Sequence, residues 1–108
     1  IVSNGDTANK IGSSTLSIVA KEYGVPFFVV APRSSFDLSL NSGEKIDVEM
    51  RDCSEVLEVN GMPIAPQQSS AFNPSFDITK AKFIEALICE KGVISPVSSE
   101  NLKEVLYG

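Results

Sequence analysis

The sequence has 108 residues, of which 43% are hydrophobic and 21% charged, and this composition is that of a globular domain rather than a disordered chain. A chain of this length can form one domain with a modest core. The net charge is −5 and no run of Lys or Arg could follow a nucleic-acid backbone, so we expect no nucleic-acid partner.

The two cysteines, Cys53 and Cys89, have no C-x-x-C spacing, and the sequence contains no histidine. We therefore expect no metal site, although the spacing leaves a disulfide between them open. No apolar run approaches the roughly 20 residues of a membrane span, so we expect no membrane insertion. Reduced thiols and the absence of a targeting signal predict a cytoplasmic protein.

The first elements predicted are a helix over 7–23 and a strand over 25–32. Asp6 is the candidate N-cap of this helix and Gly24 its terminating residue. The run 25–32 is continuously apolar and rich in Val and Phe, which indicates a strand buried on both faces. Residues at helical spacing predict one apolar face for the helix: Ala8, Ile11, Thr15, Ile18, Val19 and Tyr23.

The middle of the chain is predicted to be irregular. Ile46, Val48 and Met50 alternate with polar residues and indicate a short strand. Ser54 is the candidate cap of a short helix ending at Leu57. Asn60-Gly61 predicts a hairpin turn between 57–59 and 62–64, with Pro63 restricting the second arm to a sheet edge.

The C-terminal third is predicted to hold two helices and a strand. Thr79 is the candidate cap of a helix over 80–91, Val93-Ile94 indicates a strand, and Ser98 or Ser99 would cap the last helix. Helices alternating with buried strands predict an α/β fold, specifically a Rossmann-like open, mostly parallel sheet with an irregular middle segment.

The candidate binding segment is the loop entering the first predicted helix. Open α/β sheets bind ligands where a strand's carboxyl end leads into the next helix. Gly5 permits unusual backbone angles, Asp6 caps, and the helix N-terminus together with Lys10 would hold an anion such as a phosphate, with Asn9 on a sugar oxygen. The competing interpretation is a simple turn and cap, with Asn9 and Lys10 as exposed surface residues.

Motifs along the chain resemble those of the methylthioribose-1-phosphate isomerases. The first, N-G-D-T-A-N-K-I-G at 4–12, is similar to the family's N-G-D-x-A-N-K-I-G. Further similar motifs follow in the family's order: A-P-R-S-S-F-D at 31–37, S-G-E-K-I-D-V-E-M-R at 42–51, I-A-P at 64–66, N-P-S-F-D-I-T at 73–79 and E-K-G-V at 90–93. The resemblance covers nearly the whole chain.

This resemblance implies an aldose–ketose isomerase of methionine salvage that converts 5-methylthioribose 1-phosphate to 5-methylthioribulose 1-phosphate without a cofactor. It implies that Asn9 and Lys10 contact substrate, and that the enzyme is a homodimer. The family's catalytic Asp would stand two residues before Ile1 and its catalytic Cys further upstream, so no catalytic residue is expected in this chain. Residues 1–108 would then be the C-terminal part of the isomerase's Rossmann-like domain, with the N-terminal part of the enzyme absent.

Two alternative functions stay open at this point. One is ribose 1,5-bisphosphate isomerase, a member of the same family whose second phosphate would require further Arg or Lys. The other is a non-catalytic regulatory subunit similar to those of translation initiation factor 2B, which share the fold and the N-K-I-G stretch. Asp6 within N-G-D and the N-P-S-F-D motif favour the isomerase.

Overall fold

The computed structural model describes all 108 residues and contains three α-helices and seven short strands. The helices are α1 (Ser13–Glu22), α2 (Ser54–Leu57) and α3 (Ser99–Tyr107), and none is long and apolar enough to cross a membrane. The strands are β1 (Thr7–Lys10), β2 (Phe28–Val30), β3 (Glu58–Val59), β4 (Met62–Pro63), β5 (Phe76–Thr79), β6 (Ala86–Cys89) and β7 (Gly92–Ile94). The predicted α/β class is confirmed.

The strands form one three-stranded and two two-stranded sheets. In the larger sheet β6 is central, parallel to β2 on one side and antiparallel to β7 on the other. Strand β1 pairs with β5, which lies far away in sequence, and β3 pairs with β4; both pairs are antiparallel. One ladder is therefore parallel and three are antiparallel, so the pairing within this chain is mixed and not mostly parallel as predicted.

The core lies between the larger sheet and α3. Its buried members are Ile84, Leu87, Ile94, Leu102 and Leu106. The Ser98 hydroxyl accepts a hydrogen bond from the Asn101 N–H at 3.2 Å, which confirms Ser98 as the N-cap of the last helix. Capping fixes where α3 begins and thereby directs Leu102 and Leu106 onto the sheet.

The helix predicted over 80–91 is wrong. These residues form a 3₁₀ turn (Ala81–Phe83) and then β6, and Thr79 ends β5 instead of capping a helix. A short apolar run is compatible with a buried helix or with a central strand, and periodicity cannot separate the two. Strand partners on both sides decide in favour of β6, whose Ala86 and Leu87 are buried.

The helix predicted over 7–23 begins late, because residues 7–10 form β1. Thr7 lies opposite Thr79 and Lys10 opposite Phe76 in the β1–β5 ladder. Gly12, with φ +113°, then turns the chain into α1. The predicted terminator is confirmed at Gly24, whose φ is +67° and whose N–H donates to the Lys21 carbonyl at 3.2 Å.

The first helix and strand β2 each expose a face that the sequence predicts to be buried. Tyr23, on the apolar face predicted for the first helix, is 78% exposed, and Ser17 is the buried residue of α1. Strand β2 was predicted to be buried on both faces, yet Val30 is 74% exposed. The reason is that Phe28 and Val30 point to one face of β2, which nothing in this chain covers, whereas Val29 points to the other face and packs against the core.

The middle segment bears out two of its three predictions. The short helix α2 forms, but Ser54 is its first residue and the N-cap is Cys53, so the predicted Ser54 cap is wrong. Asn60 (φ +50°) and Gly61 (φ +77°) make the predicted hairpin turn between β3 and β4. The strand predicted from Ile46 to Met50 is absent; Met50 makes a single antiparallel bridge to Pro74.

A buried leucine of α3 provides a test of this core. Leu102→Ala should lower the free energy of unfolding by about 2–5 kcal/mol, because it removes buried methyl groups and leaves a cavity. Lys103→Ala, at the exposed next position of the same helix, should change it by less than about 0.5 kcal/mol. Urea denaturation measures both, and equal effects would contradict the described packing of α3.

Candidate functional site

Asn9 lies on β1 at a cleft of about 200 Å³. The cleft lies between β1, the first turn of α1 and strand β2. Its lining combines hydroxyl and amide groups with an apolar strand: Thr7, Ala8, Asn9, Ser13, Phe27, Phe28, Val29, Val30 and Thr79. None of these side chains carries a charge at neutral pH, so the cleft can hydrogen-bond a polyol but supplies no acid or base.

The Asn9 side chain is held by Ser13. The Asn9 Nδ2 donates to the Ser13 Oγ at 3.1 Å, and the Ser13 Oγ donates to the backbone carbonyl of Lys10 at 2.9 Å. This contact is possible because Gly12 turns the chain so that the first residue of α1 returns beside the end of β1.

Lys10 does not share the cleft with Asn9, contrary to the expectation that both lie at a helix start. Successive side chains on a strand point to opposite faces, and Lys10 follows Asn9 on β1. Lys10 is exposed and does not line the cleft. Its ammonium group is the positive charge nearest to Asn9 in sequence.

The N-terminus of α1 is already occupied by a carboxylate, so the predicted phosphate site at a helix start is wrong. Asp77 Oδ2 accepts hydrogen bonds from the N–H groups of Gly12 (2.9 Å) and Ser14 (3.1 Å). An anion placed there would meet the Asp77 charge and lose these donors. Asp77 reaches this position because it lies opposite Asn9 in the β1–β5 ladder.

Asp77 was not identified as a functional residue from the sequence. It caps α1 from 63 and 65 residues away, and no local pattern reveals such a contact. The N-P-S-F-D motif that contains it was the available signal. The other carboxylate oxygen, Oδ1, is buried without a hydrogen-bond partner, as is the Ser75 hydroxyl.

Asp6 is a buried cross-link rather than the N-cap of the first helix. It is 4% exposed, and its carboxylate accepts hydrogen bonds from the N–H groups of Gly43 (2.9 Å) and Ala81 (2.8 Å) and from the Asn4 amide (3.0 Å). Burial opposes its ionisation, but these hydrogen bonds outweigh burial and hold the pKa of Asp6 below its usual range. Asp6 therefore fixes the loop before β1 to two distant segments.

Gly5 is also structural in this chain. Its φ is +93°, which side chains resist, and a Cβ at this position would overlap the Val97 side chain. Gly5 and Asp6 thus fix the conformation of the loop before β1, and neither residue lines the cleft. The sequence singled out both residues but predicted them at the start of a helix, whereas they precede strand β1.

Both cysteines are unpaired, with Cys53 exposed and Cys89 half-buried on β6. No group of three or more His, Cys, Asp or Glu side chains could hold a metal ion. Neither cysteine lines the cleft that contains Asn9.

Residues 1–96 match the model of the initiation factor 2 subunit family, known as IF-2B. The chain belongs to this family. The match includes the whole loop, β1, the cleft and Asp77. The same match extends over β5 to β7.

Two relatives are similar along the full chain and are named as sugar-phosphate isomerases. The methylthioribose-1-phosphate isomerase of Pelotomaculum thermopropionicum is 47% identical over 100% of this chain and 30% of its own length. The 5-deoxyribose 1-phosphate isomerase of Moorella thermoacetica is 49% identical over 100% of this chain and 31% of its own length. The chain thus spans about 30% of the length of such relatives.

Two solved structures share the fold. The 5-methylthioribose 1-phosphate isomerase of Pyrococcus horikoshii has a TM-score of 0.89 and 47% identity over 97% of this chain and 29% of its own. The translation initiation factor eIF-2B subunit delta of A. fulgidus has a TM-score of 0.88 and 37% identity over 100% of this chain and 31% of its own. The resemblance to the isomerases is confirmed, but backbone geometry fits both classes of protein.

Replacement of the buried carboxylate tests the cross-link. Asp6→Asn should lower the free energy of unfolding at pH 7 by about 2–3 kcal/mol, because it weakens hydrogen bonds to a charged acceptor. The lowered pKa stabilises the fold above the unfolded value near 4, and this contribution is lost as pH falls through the folded pKa. The difference between wild type and variant should therefore shrink below about pH 4.

The matched control is Asp47→Asn, which removes the same charge from an exposed residue that makes no hydrogen bond. It should change the stability by less than about 0.5 kcal/mol at either pH. Urea denaturation at pH 7 and pH 3 measures both variants. An Asp6→Asn effect of the same size at both pH values would contradict the role of the charge.

Proposed function

We propose that the complete protein containing this chain isomerises 5-methylthioribose 1-phosphate to 5-methylthioribulose 1-phosphate, a step of methionine salvage. The proposal is carried by the 47% identity with proteins of that name along the entire chain, together with the position of Asn9 at the cleft. The product is a ketose, so the reaction moves a proton between C1 and C2 of the sugar.

In this proposal the chain supplies binding groups and not the proton-transfer groups. The phosphate ester on the anomeric carbon prevents the ring from opening as a free sugar does, so positioned acid and base groups are needed in a dry pocket. The cleft is lined by hydroxyl, amide and apolar groups without a titratable side chain. This composition supports the expectation that the catalytic Asp and Cys of the family stand outside residues 1–108.

We propose that Asn9 binds a sugar oxygen and Lys10 the phosphate. Asn9 lines the cleft, and the Lys10 side chain extends from the last residue of β1, next to it. Although Lys10 does not line the cleft, its ammonium is carried on a long flexible side chain and can approach the substrate phosphate as a point charge. Since Asp77 occupies the start of α1, the charge of Lys10 takes the role that the sequence had given to the helix dipole.

The uncovered faces of α1 and β2 support the proposal that residues 1–108 are the C-terminal part of a larger Rossmann-like domain. A helix with an apolar stripe packs it against another element, and a free strand edge is usually paired or covered. Large apolar residues are exposed on α1, its C-cap and β2: Leu16, Ile18, Val19, Tyr23, Phe28 and Val30. We propose that the N-terminal part of the enzyme covers them and completes the active site.

The proposed enzyme is a cytoplasmic homodimer. The unpaired thiols of Cys53 and Cys89 support a reducing compartment. The dimer is proposed from the family resemblance and does not alter the assignment of Asn9 or Lys10.

The alternatives to this proposal are two other sugar-phosphate substrates and a regulatory subunit without catalysis. A relative with 49% identity is named for 5-deoxyribose 1-phosphate, which lacks the methylthio group, so the substituent at C5 is the open point. Ribose 1,5-bisphosphate carries a second phosphate, and no Arg or Lys lines the cleft to receive it. The 37% identity with an eIF-2B subunit favours a regulatory subunit as the alternative without catalysis.

Turnover by the complete protein tests the proposal. Purified protein should convert 5-methylthioribose 1-phosphate to the ketose, followed by NMR of the C1 and C2 protons, and should do so faster than 5-deoxyribose 1-phosphate or ribose 1,5-bisphosphate. The 108-residue chain by itself should show no turnover, because its cleft lacks an acid or base. A folded complete protein that converts none of the three sugars would favour the regulatory subunit.

Removal of the Lys10 charge tests substrate binding. Lys10→Ala should lower kcat/KM by roughly 10-fold to 100-fold, mainly through KM, because a charge-assisted contact with phosphate is lost. Lys103→Ala removes an equal charge from the exposed side of α3 and should leave both constants unchanged. Unchanged kinetics in Lys10→Ala would show that Lys10 is an ordinary surface residue.

A further inference from the structure

Ser13 has a hydrogen-bonding role that follows from the number of protons on its hydroxyl. A serine hydroxyl carries one proton, and the Ser13 Oγ donates it to the Lys10 carbonyl at 2.9 Å. At its contact with Asn9, 3.1 Å away, the same oxygen must therefore accept. The group of Asn9 that faces Ser13 is consequently the NH₂ and not the carbonyl oxygen.

This constraint selects one of the two orientations of the Asn9 amide. With Nδ2 directed at Ser13, Oδ1 is on the other side of the amide plane, and no group of the chain donates to it. Asn9 and Ser13 both line the cleft, so the free oxygen is available to a bound molecule. An acceptor in this place recognises a hydroxyl proton and rejects a second acceptor such as a phosphate oxygen.

The position of Ser13 is itself fixed on both sides. Asp77 Oδ2 accepts from the N–H groups of Gly12 and Ser14, the two neighbours of Ser13 in the chain. The start of α1 therefore cannot shift without breaking these bonds. Asp77 thus holds the two neighbours of Ser13, and the Ser13 hydroxyl in turn contacts the Asn9 amide at the cleft.

We propose that Ser13 is a positioning residue which sets the Asn9 amide so that its Oδ1 accepts a hydrogen bond from a ring hydroxyl of the sugar phosphate. The proposal rests on the proposed function for the identity of that sugar. The orientation of the Asn9 amide does not depend on the proposed function, because this orientation follows from the hydrogen bonds within the chain.

Kinetics of the complete protein with 5-methylthioribose 1-phosphate test the role in binding. Ser13→Ala should lower kcat/KM by roughly tenfold through KM, since the amide loses the contact that holds it. Ser13→Thr retains the hydroxyl and should keep wild-type constants. Ser14→Ala is the matched control, because the Ser14 side chain makes no hydrogen bond.

A double-mutant cycle separates positioning from a general effect on the fold. In an Asn9→Ala background Ser13→Ala should have no further effect on kcat/KM, because the group that it positions is gone. An equal loss in both backgrounds, a failure of Ser13→Thr to restore the constants, or an unchanged Ser13→Ala variant would overturn the proposal.

Side-chain amide NMR distinguishes failure of this proposal from failure of the proposed function. In complete protein labelled with ¹⁵N-asparagine, the NH₂ signals of Asn9, assigned by their loss in Asn9→Ala, should move in Ser13→Ala and stay in place in Ser14→Ala. Unmoved signals in Ser13→Ala would overturn the positioning role whatever the activity. If the signals move but no substrate is turned over, the proposed function is wrong and the amide orientation holds.

Discussion

The antiparallel pairing of β1 with β5 is the constraint on which the candidate site depends. Once Thr7 to Lys10 are held opposite Phe76 to Thr79, these residues cannot join the helix that follows. The pairing places Asn9 at the cleft and brings Asp77 to the first turn of α1. One ladder between distant segments therefore sets the location of the Asn9 amide and of the carboxylate that caps the helix.

Asp6 anchors the same region from the opposite side. An ionised carboxylate with little exposure is stable where several donors converge on it, and here they come from Asn4, Gly43 and Ala81. The loop before β1 is thus tied to the 3₁₀ turns at 43–45 and 81–83. A loop held by hydrogen bonds on one side and a capped helix on the other restrict the position of Asn9, which is the preorganisation that its proposed role in binding requires.

The fold shared with isomerases and with an initiation factor subunit shows why function must be argued from side chains. TM-scores of 0.89 and 0.88 are equal for practical purposes, so the backbone does not choose between them. Within this chain, Asp6 of the N-G-D motif and the N-P-S-F-D motif at 73–77 favour the isomerase. Because no acid or base lines the cleft at Asn9, the proposed function gives this chain a role in sugar binding and assigns the proton transfer to residues outside it.

Several elements could be predicted from the sequence because their signals are local. Ser98 caps α3, Gly24 terminates α1, and Asn60-Gly61 forms the hairpin turn, since each depends on the conformational preferences of a few adjacent residues. The α/β class and the family resemblance were likewise readable from patterns and motifs along the chain.

Tertiary structure alone decided the rest. Residues 86–89 became a strand because β2 and β7 flank them, and 7–10 became a strand because β5 pairs with them, although both had helical spacing. Asp77 caps α1 although it lies more than 60 residues away in sequence. Asp6, which the sequence predicts to be a helix cap, instead links the loop before β1 to distant segments. Such contacts depend on which distant segments meet, and a pattern of neighbouring residues carries no information about that meeting.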